Sequence, residues 1–115
     1  MIYDDLLQTV VALAEKADSR EVAANEDFGL ELDGKIIYDS CKATSPEGPI
    51  EINLTRDYAR PPFEWLAEIT LDGKPFRHFL LTSEQTVIET YGKQVLPVSE
   101  QDAKWLLAVL NSADV

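Results

Sequence analysis

EWLAEITLDGKPFRHFLLT, residues 64–82, is the stretch whose reading decides the fold. It carries one of the two tryptophans, two of the four phenylalanines and the only histidine. Asp72-Gly73 separates two runs rich in aromatic and aliphatic residues. The two-residue hairpin turn that matches strand twist needs positive φ at both central positions, which Gly adopts freely and Asp tolerates. The stretch therefore predicts two antiparallel strands with Leu71 opposite Lys74, Ile69 opposite Phe76, Ala67 opposite His78 and Trp65 opposite Leu80. Successive side chains in a strand point to opposite faces. Trp65, Ala67, Ile69, Phe76, His78 and Leu80 are thus expected on one face. Leu66, Phe79 and Leu81 fall on the other, with Glu68 and Arg77 nearer the turn. Both faces are apolar at one end, so each needs a cover.

Upstream, residues 3–17 have the period of an amphipathic helix. At about 100° per residue, Tyr3, Leu6, Val10, Leu13 and Ala17 share one half of the wheel, joined by Ile2, Leu7, Val11 and Ala14. Asp4 and Asp5 suit the positive end of the helix dipole, and Lys16 the negative end. A stripe this wide predicts packing against a sheet. Residues 18–27 are polar, with an extra helical turn expected around residues 20–24. FGLEL, Asp33-Gly34 and KIIYDSC then predict a second hairpin, so LDGK occurs twice, reuse of a good turn rather than a duplicated unit. ATSPEGP, residues 43–49, reads as a loop. PIEINLT alternates strictly, with Ile50, Ile52 and Leu54 inward and Glu51, Asn53 and Thr55 outward.

RDYARPPF, residues 56–63, reads as an irregular connection stiffened by Pro61-Pro62. Residues 83–91 carry both signals: Val87, Ile88, Thr90 and Tyr91 favour a strand, Gln85 and Gly92 a capped helix, and the strand is preferred. A final helix is expected over Glu100–Asn111, N-capped by Ser99, with Trp105, Leu106, Val109 and Leu110 as its buried stripe and Leu107 at the flank. The expectation is one α+β domain over residues 1–115: an antiparallel meander of five or six strands with amphipathic helices at both ends packed on it.

Composition limits the function. The chain has 115 residues, 45% of them hydrophobic, enough for one core. No apolar run reaches the roughly 18 residues of a membrane span. The start, MIYDDLLQTV, lacks the basic and apolar blocks of a signal peptide, which predicts a cytoplasmic protein; a single cysteine agrees. Twenty-one acidic against ten basic residues give a net charge of −11. That excess repels phosphate backbones and anionic lipid, arguing against nucleic-acid or membrane binding, and attracts a basic partner.

Chemistry-bearing residues are few. His78 is expected amid apolar neighbours as a structural histidine. Cys41 has no ligand set for zinc, and a Cys–His pair requires the two to meet in space. The acids crowded between Asp18 and Asp39 lack calcium-loop spacing and read as a solvated rim. Phosphate-loop, dinucleotide, serine-hydrolase and zinc-protease signatures are absent. No cofactor is expected, and a non-enzymatic role is preferred. The best binding candidates are Tyr58, Arg60, Phe63 and Trp65, the residue types enriched at interface hot spots, carried by or next to a proline-stiffened connection. Leu66, Phe79 and Leu81 are expected to be left bare by helices on the other face, predicting a homodimer.

These features lead to a small, acidic, protein-binding module (adaptor, chaperone or immunity-like) with a basic protein partner. The alternative is a small-molecule or catalytic pocket between sheet and helices, lined by Trp65, His78 and Tyr91. With residues 6–17, Leu32-Asp33-Gly34-Lys35 and residues 105–110 as matching features, the architecture resembles the chaperones of bacterial type III secretion effectors. That family has a mid-chain helix where this chain has PIEINLT. Immunity proteins and antitoxins fit the same composition equally well.

Overall fold

The computed structural model describes residues 2–22, 35–38, 40–57, 63–91 and 94–114. Helix α1 (Ile2–Lys16) opens the chain and α2 (Glu100–Asn111) closes it. Between them run β1 (Ser19–Val22), β2 (Lys35–Tyr38), β3 (Cys41–Ser45), β4 (Gly48–Asp57), β5 (Phe63–Leu71), β6 (Lys74–Thr82), β7 (Val87–Tyr91) and β8 (Gln94–Pro97). All pair antiparallel in the order β1-β2-β4-β5-β6-β7-β8, and β3 also pairs with β4. The expected α+β meander with a helix at each end is present, and β1 and β8 are short strands added at its two edges. Where an extra helical turn was expected, residues 19–22 pair with β2, with Ser19 opposite Tyr38; ladder bonds outweigh a weak local preference.

Strand β4 is long enough to serve two partners. Its first half pairs with β3, Cys41 opposite Ile52, and its second half with β2, Ile37 opposite Thr55. Across the break between them, the Ser40 hydroxyl bonds to the Asn53 side chain. The expected loop at residues 43–49 is instead a tight turn at Pro46-Glu47, with Gly48 at φ 132° and the Ser45 hydroxyl donating to the Gly48 carbonyl at 2.8 Å. The far edge of β3 is covered by the C-terminal tail. Asp114 N–H donates to the Lys42 carbonyl at 2.7 Å, and the Ser112 hydroxyl serves both the N–H and the carbonyl of Thr44. An edge closed in this way offers no template to another chain.

The central hairpin turns where expected. Asp72 (φ 53°) and Gly73 (φ 76°) both take positive φ, and Leu71 faces Lys74. The register then departs from the expected one: Thr70 faces Pro75, but Ile69 faces Arg77, leaving Phe76 as the extra residue of a β-bulge. One inserted residue reverses the faces of everything beyond it. Phe79 and Leu81, expected on the far side, therefore lie with Trp65, Ala67 and Ile69 in the core, both with no exposed surface. His78 and Leu80 are turned to the other side. The straight register would bury a lone imidazole, at about 1–3 kcal/mol without a hydrogen-bonding partner. The bulged register brings in Arg77, which meets a carboxylate.

Both helices lie on this one face. Helix α1 buries Tyr3, Leu6, Val10, Leu13 and Ala14, and its Tyr3 hydroxyl donates to the Thr82 carbonyl at 2.5 Å. Helix α2 buries Ala103, Leu106, Val109 and Leu110. Its expected N-cap is in place: the Ser99 hydroxyl accepts from Asp102 N–H at 3.2 Å, a bond worth about 1 kcal/mol. Ile50, Ile52 and Leu54 point into the shared core as the alternation predicts. On the other face, Thr55, Leu66, Leu80 and Ile88 line up across four strands. Thr55, expected to be solvated, is buried, and the three aliphatics are half-buried.

Candidate functional site

The last described pair between β4 and β5 is Arg56 opposite Trp65, at the root of the connection through residues 58–62. Trp65 stacks on Tyr38, the final residue of β2, with ring centroids 5.6 Å apart. The Arg56 guanidinium lies 5.6 Å from the centre of the Trp65 ring, in cation–π range. Helix α1 forms the opposite wall with Leu7, Val11, Ala14 and Glu15. Together these residues line an open cleft of about 430 Å³. Around the helix from its buried line, Ala14 and Leu7 come first, then Val11, which is 38% exposed, and then Glu15 at the rim. The cleft offers aromatic faces, an aliphatic wall, one carboxylate and one guanidinium.

Of the four residues expected to bind a partner, Trp65 is in this cleft, as part of its buried floor. Tyr58 and Arg60 lie outside the described residues. Phe63 begins β5 opposite Thr82, and its side chain is likewise outside what is described. The three residues expected to form one bare patch are divided by the Phe76 bulge: Phe79 and Leu81 are core, and Leu66 is on the far face. The pocket expected from Trp65, His78 and Tyr91 is not assembled. His78 faces away from the helices opposite Glu68, whereas Trp65 faces α1; Tyr91 ends β7, its side chain outside the described part. Cys41 is fully buried on the core side of β3, so it does not meet His78. Among the described residues no three His, Cys, Asp or Glu side chains gather as a metal site. No helix among them is long and apolar enough to cross a membrane.

A second constellation, which sequence reasoning missed, sits under α2. Arg77 donates to both carboxylate oxygens of Glu89, at 2.5 and 2.7 Å, and lies 3.3 Å from Asp102 in the first turn of α2. Its guanidinium lies against both the Phe79 ring (4.8 Å) and the Trp105 ring (4.6 Å), which also pack on each other. Phe76 meets Trp105 edge-on, and the Trp105 indole N–H donates to Glu47 at 3.1 Å. The Glu89 hydrogen bond, above all, pushes the Arg77 pKa above its ordinary value; burial opposes this, and the charges of Glu89 and Asp102 add to it. A cation held this firmly cannot exchange protons near neutrality. It fastens α2 to the sheet. The available sequence signal was a pair of charges, Arg77 and Glu89, inside two apolar strands.

Compared with protein-family models, curated proteins and solved structures, the chain has no significant match to any.

Proposed function

We infer that this is a non-enzymatic binding protein that engages a basic protein partner through the cleft beside α1, with residues 58–63, next in sequence to its lining residues Arg56 and Trp65, as the expected further contacts. The observation that carries this reading is the open cleft over the Trp65–Tyr38 stack, with Val11 exposed at its lip. Aromatic side chains, arginine and aliphatic groups at a concave site supply the anchoring contacts of protein interfaces. The net charge of −11 supports a basic partner. The reading is tested with a photo-cross-linker placed at Val11, followed by affinity measurement on the captured protein. A basic partner whose affinity falls as salt rises is the expected result; a neutral or acidic partner, or one indifferent to salt, overturns it.

A small-molecule pocket is the second reading, favoured by the cleft volume, about 430 Å³, which lies within the roughly 300–1,000 Å³ of ligand sites. Its ionisable lining is Glu15, Tyr38 and Arg56, in place of the expected His78. Self-association rests on less than the sequence implied, since Leu80 and Ile88, with Leu66, form a half-buried apolar row on the face away from the helices. Sedimentation at micromolar concentration decides it: a monomer unaffected by Leu66→Asn removes the dimer.

A further inference from the structure

The charges around the α1 cleft are arranged by position. Passing outward from its floor, the lining changes from the Trp65 and Tyr38 rings, with Arg56 against Trp65, to Leu7 and Val11, and then to Glu15. Lys16, the cation of this helix, lies on its opposite flank, where it lines a separate groove toward α2. The inner end is therefore aromatic and cationic, and the outer rim aliphatic and acidic. An acidic ligand is opposed at the rim by Glu15 and by the net charge of the chain. A purely apolar one leaves Glu15 unused. A cation pushed to the floor meets Arg56.

We propose that the cleft holds a short amphipathic segment of a protein partner, with one large apolar side chain against Trp65 and Leu7 and a lysine or arginine outside it at Glu15. This rests on the binding-protein reading and adds to it the chemistry of the docked segment. Among the described residues, a further exposed apolar surface, strand β8 with Val95 and Leu96, is a poorer acceptor. The Val98 N–H donates to the Val87 carbonyl, so by antiparallel alternation Val95 and Pro97 direct their backbones to the free edge, and Pro97 has no N–H to offer.

The test is selection from a displayed library of random peptides about 12 residues long on the intact protein, repeated on Val11→Glu and Glu15→Lys. Selected peptides are expected to be net basic and to contain a large apolar residue. Val11→Glu should weaken them by at least about tenfold, and Glu15→Lys by about threefold to tenfold, less at high salt. Perturbation of the Trp65 indole signal on titration with a selected peptide places it in the cleft. If selected peptides are acidic, or basic but indifferent to Glu15→Lys, the proposed chemistry is wrong while docking at Val11 stands. If no selected peptide is sensitive to Val11→Glu, both the proposal and the cleft as docking site are overturned. Circular dichroism of both variants separates lost binding from lost folding, and should Val11→Glu unfold, the indole signal and Glu15→Lys carry the decision.

Discussion

Two arginines lie against tryptophans on the helix-covered side of the sheet, and they are in opposite situations. Arg77 is enclosed: a carboxylate on the neighbouring strand accepts from its Nε and one terminal nitrogen, the Phe79 and Trp105 rings lie against it, and a first-turn acid of α2 completes the shell. Arg56 lies over Trp65 in the wall of an open cleft whose acid, Glu15, is on the facing helix. The residue types are the same; the neighbouring strand makes the difference. Where β7 supplies Glu89, the pair is sealed and serves the fold. Beside α1 the cleft over the Trp65 and Tyr38 rings stays open.

The largest expected effect tests which ring belongs to the sealed end. Phe79→Ala should cost about 3–5 kcal/mol in urea unfolding and Phe76→Ala about 1 kcal/mol; equal losses would place the bulge elsewhere. Next comes Arg77→Ala, which leaves Glu89 buried without its partner and should cost about 3 kcal/mol. A loss below about 1 kcal/mol would mean that the fastening is incidental and the contrast false. At the open end, Arg56→Met should cost less than Arg77→Ala, because the cleft beside it stays open to water; an equal loss at the two arginines would erase the distinction between the ends. Smallest of all, Val11→Glu should change stability by about 0.5 kcal/mol or less, since the side chain is already more than a third exposed, while still weakening partner binding by at least about tenfold.

Local rules carried the reading wherever one element decided its own structure. The apolar phase of α1, the Ser99 cap of α2, the positive-φ corner at Asp72-Gly73 and the alternation of Ile50, Ile52 and Leu54 all follow from neighbours a few residues apart. The bulge at Phe76 does not. Period-two counting assumes no inserted residue, and the choice between registers depends on Glu89, a strand away. Residues 19–22 failed for the same reason, their pairing with β2 being settled by a partner well along the chain. At the candidate site Trp65 was legible as a large aromatic beside a stiff connection. Tyr38, Arg56 and Val11 were not, because β2, β4 and α1 bring them together only after folding. The Leu66, Phe79 and Leu81 patch was lost with the register that implied it.

The extra residue in β6 lets that strand lose a residue at the bulge but not gain one beyond it. Deleting Phe76 would remove the bulge and keep Arg77 opposite Ile69 and Phe79 opposite Ala67, so the core face would stand; adding a residue between Arg77 and Phe79 without a second bulge would act like a frameshift and send Phe79 and Leu81 into water. A change from Phe76 to another residue removes one ring; an unabsorbed residue added beyond it rewrites half of the hairpin.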